Sequence, residues 1–413
     1  MVRGPVITWQ DTVSYVHVAR NPILSVSFLG GLRAPVAPLL WKLTGTKMCF
    51  AVTQTVIGIV AWTVLAVTVA WFVRSPWRSL LAGVAVLAFA SSWQVAMWDW
   101  SVLSESISVS AVALMFASVL WLARRVTRPR AAGFLVACLV YAAARDQGIW
   151  VVATFAVVGF GVAVARLIRR QSAVATQTAL IGVALLAIAA VTEVGAASAH
   201  RNIINVENVF DVRVFPFPQR IAWFAAHGMP ERAALDKLAK TTKPTKAAPT
   251  VISPDLQSHE WHALTLWFQH KSQTAYIEYL VTHPGYDLTA LFVSPALTYD
   301  NANGHLSFYA GPTTPLTGLS KIMFPKGRIV VAEAILAAML IVGKRRLRLA
   351  EVRALIMMGV VGLFSILTAW HGDGMEVARH TIEGNIQVRL AVLLALIFGL
   401  LWSPGNTVGT ESA

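Results

Sequence analysis

The stretch MCFAVTQTVIGIVAWTVLAVTVAWFV (48–73) decides the fold class. It carries no Asp, Glu, Lys or Arg, and it exceeds the roughly 20 apolar residues that a helix needs to cross about 30 Å of hydrocarbon. Similar runs recur at 80–98, 106–123, 131–145, 149–167, 177–198, 328–343, 354–371 and 387–403, the fourth, eighth and ninth runs being short or frayed. Backbone inside a bilayer must satisfy its own hydrogen bonds, so repeated runs of this length predict membrane-spanning helices. The expected fold is all-α, a polytopic transmembrane helical bundle of about nine spans.

Composition points the same way. Over 413 residues, 56% are hydrophobic and 13% charged, with a mean hydropathy of +0.62, which excludes an ordinary soluble globular chain. The net charge of +14 would suggest nucleic acid in a soluble protein. Here the positives sit in loops, and no basic patch interleaved with aromatics stands apart from them, so no nucleic-acid partner is expected. Cys49 and Cys138 both fall in apolar runs and are expected to be buried small hydrophobes, with no disulfide framework.

The loop charges alternate. Arg74 and Arg78, then Arg124, Arg125, Arg128 and Arg130, then Arg166, Arg169 and Arg170, then Lys344, Arg345, Arg346, Arg348 and Arg353 all fall on one side, which the positive-inside rule makes cytoplasmic. Residues 1–47, the turn at 99–105, the turn at 145–148, the insert 199–327 and the loop 371–386 then lie outside. Trp98, Trp100, Trp150 and Trp370 are placed as interfacial anchors. The expected organisation is a first external loop (1–47), helices (48–198), a large external loop (199–327), C-terminal helices (328–403) and a cytoplasmic tail (404–413). The expected location is a plasma or inner membrane. In this scheme the chain begins outside with no span before it, which predicts one further N-terminal helix upstream of residue 1.

Ahead of the first span lies TWQDTVSYVHVARNPILSVSFLGGLRAPVAPLLWKLTG (8–45). It places Asp11 at the membrane surface, followed by Tyr15 and by an Arg33-led, proline-spaced run. A carboxylate held partly out of water is a stronger base, which suits removal of a proton from a hydroxyl. The plainer reading is a surface Asp capping the helix TVSYVHVA. A second constellation is WDWSVLSES (98–106), with Asp99 between two tryptophans and Glu105 between two serines at the start of a span. Ionisable groups at the edge of hydrocarbon are costly and normally have a partner or a task. An interfacial anchor for Asp99 and a helix-dipole partner for Glu105 are the structural alternatives. Arg33, Arg145, Arg201, Arg379 and His380 form the third group, all at outer boundaries. Guanidinium offers phosphate a bidentate fork, while snorkelling to lipid headgroups explains any one of them alone.

Taken in order, the acidic first loop, the Arg-x-Pro-x-x-Pro-Leu-Leu segment, Ser104-Glu105-Ser106, Arg145-Asp146-x-Gly148 and the late Arg379-His380 pair resemble the GT-C superfamily of polytopic membrane glycosyltransferases. The similarity is to the polyprenyl-phosphate-sugar-dependent protein mannosyltransferase and aminoarabinose transferase type. That resemblance implies Asp11 as catalytic base, with Glu105 and Asp99 beside it in the catalytic group. It implies donor phosphate or sugar contacts from among Arg33, Arg145, Arg201, Arg379 and His380. It also implies a polyprenyl-phosphate sugar donor, a glycan, lipid or protein acceptor, and inverting transfer on the outer face. No resident cofactor is implied, although a divalent metal is compatible with the acids.

The insert is expected to act as a lid or docking surface. It holds a helix at PERAALDKLAK, a linker at 241–254 and an amphipathic helix over 259–283. His259, Glu260, His262 and His270 there lack a third ligand at a recognised metal spacing. The rival readings are a lipid-linked glycan polymerase or ligase carried by arginines, and a non-enzymatic flippase or transporter. Transporters place ionisable groups near the midplane in paired halves, whereas here the acids gather at one edge.

Overall fold

The computed structural model describes residues 5–73, 75–230, 262–286, 289, 317–343, 349–374 and 376–401. In chain order its helices are α1 (Gln10–Ala19), α2 (Val26–Leu29), α3 (Val36–Thr44), α4 (Lys47–Val73), α5 (Pro76–Ala90), α6 (Trp93–Ala96), α7 (Glu105–Arg124), α8 (Arg128–Ala144), α9 (Gln147–Ile168) and α10 (Ser172–Ser198). They continue as α11 (Arg201–Arg213), α12 (Pro218–Ala226), α13 (His262–His270), α14 (Ser272–Thr282), α15 (Thr317–Met323), α16 (Gly327–Gly343), α17 (Ala350–Gly372), α18 (Val377–His380) and α19 (Ile382–Leu401). Among the described residues there is no strand, only an isolated bridge between Ile7 and Ser101.

Among the described residues six helices, α4, α7, α9, α10, α17 and α19, are long and apolar enough to cross a membrane. The expected span 80–98 is instead a bent pair, α5 followed by Trp93–Trp100, with a 56° break. Ser91 and Ser92 mark the break. The Ser91 hydroxyl folds back to Leu87 O, a bond that weakens a helix, and the freed Trp93 N–H donates to Ser320 Oγ of α15. The expected spans 131–145 and 328–343 are helices of 17 residues, shorter than the six. The last helix begins at Ile382 rather than at 387, which moves Glu383 and Asn385 from a loop into the bundle.

The central helix is α7, apolar along most of its length and buried on nearly all sides, as a helix surrounded by others must be. It is packed by α4, α8, α17 and α19, and α9 and α10 form a pair further out. Two glycines let α17 and α19 approach closely: a Cβ on Gly384 would lie 2.7 Å from Gly362 O. Trp62, Phe72, Phe89, Phe116 and Phe398 belong to this main core. A second, aromatic core joins α11, α12, α13 and α14 through Phe210, Phe215, Phe224, Trp267, Phe268 and Tyr276.

The helix expected over 259–283 is two helices that break at Lys271. The expected helix PERAALDKLAK, the linker 241–254 and the tail 404–413 lie outside the described residues, apart from Pro230. Cys49 is exposed on the first turn of α4, contrary to expectation, and Cys138 is buried. Trp98 and Trp370 are buried rather than placed at a lipid boundary, and only Trp150 of the expected anchors is exposed.

Candidate functional site

Alternating helix direction brings the starts of α7, α9 and α19 and the ends of α8, α10 and α17 to one end of the bundle. The other end carries the basic turns, where Arg124 pairs with Glu351 at 3.2 Å. At the first end, the N-terminal segment is laced to the 100–102 turn. Ile7 N donates to Trp100 O, Val102 N donates to Ile7 O, and the Thr12 hydroxyl donates to Val102 O. This sets the first turn of α1 over the start of α7.

Asp11 is therefore beside Glu105, although the two are far apart in sequence. One guanidinium joins them: Arg379 Nη2 meets Asp11 Oδ2 at 2.5 Å, its Nε donates to Glu105 Oε1, and its Nη1 meets Glu376 Oε2 at 2.8 Å. Arg33 Nη2 closes on the other oxygen of Asp11 at 2.6 Å. Deeper in, Arg145 Nη1 bridges Glu105 Oε1 (3.3 Å) and Glu383 Oε1 (2.9 Å), and Arg145 Nη2 donates to His380 Nδ1 at 2.6 Å. That bond assigns the His380 proton to Nε2, which faces Asp373 Oδ2 at 3.2 Å. Glu383 also accepts from Tyr141, Gln147 and Ser108.

The charges run inward from the surface. Side-chain exposure falls from 39% at Arg33 to 14% at Asp11, 6% at Arg379 and zero at Glu105. Burial alone would make the Arg379 and Arg145 guanidiniums easier to deprotonate. The carboxylates around them outweigh that effect and hold both well above the ordinary arginine range. Burial, reinforced by the charges of Asp11 and Glu105, pushes the Tyr15 hydroxyl up to about 12, so it stays protonated beside them. Glu376, which holds the third edge of Arg379, sits in the left-handed region at φ 49°, a conformation that costs a non-glycine residue about 1 kcal/mol or more.

The remaining sequence-predicted residues lie apart from this cluster. Asp99 accepts from the Ser106 hydroxyl and lies against Gly58 of α4. Arg201 is gripped by both oxygens of Asp146 at 3.0–3.1 Å and donates to Gly31 O, which ties α2 to the start of α9. Of the predicted set, the structure thus joins Asp11, Glu105, Arg33, Arg145, Arg379 and His380 and separates Asp99 and Arg201.

Sequence reasoning missed Glu383, Glu376, Asp373 and Tyr141 as members. For Glu383 a signal existed: it is an acid at the start of an apolar helix, the same pattern that singled out Glu105, but the helix was expected to begin later. Among the described residues no group of three His, Cys, Asp or Glu could hold a metal ion. Chemically, the cluster offers a carboxylate near the surface whose two oxygens are each held by a guanidinium. An anion that draws Arg33 or Arg379 to itself would free one of them.

No protein-family model, curated protein or solved structure matches this chain.

Proposed function

We propose that this membrane protein transfers a sugar from a polyprenyl-phosphate donor to a glycan, lipid or protein acceptor on the outer face, with inversion. Asp11 takes the proton of the acceptor hydroxyl as that oxygen bonds to the anomeric carbon. The bond to the lipid phosphate breaks, and the phosphate leaves with its electron pair. Glu105 acts through Arg379, holding that guanidinium beside Asp11, so it is a positioning residue. Asp99, paired with Ser106 away from the cluster, has no part in this step.

The observation that carries the reading is the Arg33–Asp11–Arg379 arrangement: a base candidate between two phosphate-competent cations at one end of the bundle. In this reading the donor phosphate competes with Asp11 for the guanidiniums and thereby releases the carboxylate. The test is incubation of purified protein with polyprenyl-phosphate sugars, measuring release of polyprenyl phosphate. Asp11→Asn keeps the shape and removes the base, so release should fall at least about 100-fold while the protein still inserts. Turnover near normal in that variant removes Asp11 from the mechanism.

A ligase or polymerase reading has one observation in its favour, namely that Arg379 rather than Asp11 is the hub of the cluster. It predicts that Asp11→Asn retains activity and Arg379→Lys loses it.

A further inference from the structure

Arginines 33, 145, 201 and 379 each face at least one carboxylate within ion-pair distance. Arg213, at the end of α11, is 5% exposed, and among the described residues it forms no ion pair. Its Nη1 is buried with no hydrogen-bond acceptor among the described residues. The indole Nε1 of Trp370 is likewise buried without an acceptor among them. The Arg213 guanidinium stacks on that same indole, 4.1 Å from the ring. Stacking compensates the face of a guanidinium but not its N–H edge, and the edge, where Nη1 lies, is the part that forks onto phosphate or carboxylate oxygens.

A second cation stands beside it. Arg220 donates through Nη1 to the backbone carbonyl of Arg213, and its guanidinium lies 4.4 Å from the Tyr286 ring and 3.8 Å from that of Phe217. The acid nearest in sequence, Asp211, is two positions from Arg213 and so projects from nearly the opposite side of α11. Burial accordingly makes the Arg213 charge less favourable, and the nearby Asp373 carboxylate only partly offsets it. An uncompensated buried cation is among the costliest arrangements in a protein, and it persists where a counter-charge arrives from outside.

We infer that Arg213, with Arg220 and the indole of Trp370, forms a second anion-binding site that takes the phosphate of a phosphate ester. It is joined to the Asp11 cluster. Trp370 lies in the last turn of α17, Asp373 follows that helix, and Asp373 accepts from Asn208 of α11 while facing His380. Backbones meet there too, since a Cβ on Gly374 would lie 2.0 Å from Asn208 O. A phosphate held at Arg213 is thus one short chain of contacts from Arg145 and Arg379. In the transferase reading the donor's single phosphate lies at Arg33 and Arg379, so the ester held at Arg213 is a separate lipid phosphate, and the site does not depend on that reading.

The experiment uses the whole purified protein in detergent, with no sugar transfer measured. Binding of polyprenyl phosphate and of inorganic phosphate is titrated for the native chain, Arg213→Met, Arg213→Lys and, as a charge control, Arg169→Gln. Arg213→Met should weaken phosphate binding about tenfold or more, and Arg213→Lys should restore part of it, because an ammonium lacks the fork. Arg213→Met should also raise the ligand-free unfolding temperature by about 1–2 °C, since it removes an unpaired buried charge. Binding of the lipid alone assigns a lipid phosphate, and binding of inorganic phosphate as well assigns a site for the phosphoryl group itself. Unchanged affinity in Arg213→Met, a fall in its ligand-free stability, or binding of neither probe by the native chain overturns the assignment. Because turnover is not read, loss of transferase activity in Asp11→Asn leaves this result untouched, and the converse also holds.

Discussion

Two groups of buried charge lie at the same end of the bundle, and they differ in how well they are satisfied. Around Arg379 and Arg145, nearly every edge of each guanidinium meets a carboxylate or an imidazole. At Arg213 the guanidinium face is covered by Trp370, and Nη1 meets no acceptor among the described residues. Saturated ions in a low-dielectric interior fix which elements lie together, because no alternative register satisfies them equally well. An unsatisfied ion fixes nothing. Its cost is offset only when a ligand binds, which makes it the better candidate for recognition.

The comparison breaks most sharply at Arg379. Arg379→Met removes the guanidinium shared by Asp11, Glu105 and Glu376, leaving buried Glu105 with Arg145 alone, so thermal unfolding should show a loss of about 3–5 kcal/mol or outright misassembly. A variant as stable as the native chain would mean that the saturated cluster is not what joins α1, α7 and α18. Asp11→Asn comes next, with the roughly 100-fold loss of transfer given above and little change in stability, since Arg33 lies at the rim and is 39% exposed. Arg213→Met should act in the opposite direction to Arg379→Met on stability. Opposite signs for two buried arginines would establish the contrast, and equal signs would remove it.

The smallest effect lies on the other face of α11. Burial holds the Glu207 carboxyl up at about 7, and burial together with the Glu207 charge holds Asp211 at about 7. Both keep protons in the folded state over a range where the unfolded chain, titrating near 4, has lost them. Their contribution is complete below about pH 4, declines as pH rises to about 7, and is flat beyond. Because both groups are partly exposed, the total is of order 1 kcal/mol. Unfolding temperature should therefore fall modestly from pH 5 to pH 8, and Glu207→Gln should flatten that slope. An unchanged slope would place both groups in water.

Much of the helical layout could be read directly, because a span must be long and apolar whatever its neighbours are. The six long helices all fall on expected runs, and the hydroxyl pair Ser91-Ser92 inside one run was the only visible warning of its bend. The acids and cations of the first cluster could be named one at a time, since charge beside hydrocarbon is conspicuous. Their pairing could not, because the Asp11–Arg379 contact links positions whose separation along the chain no local pattern encodes. Glu383 was lost to a boundary five residues out of place. Arg213 was invisible for a different reason: it lies in a polar helix of mean composition, and nothing in RNIINVENVFDVR distinguishes a buried arginine from a solvated one.

Sequence alone determined the all-α class, the apolar helices, the basic turns of one side and the residue types available at each end. Those follow from the free energy of moving side chains between water and hydrocarbon, which each segment settles for itself. Tertiary structure decided which charges neutralise one another and, among the described residues, left Nη1 of Arg213 without an acceptor. That outcome depends on distances of a few ångströms between helices that no single segment can specify, and electrostatic energy in a dry interior varies most steeply over such distances.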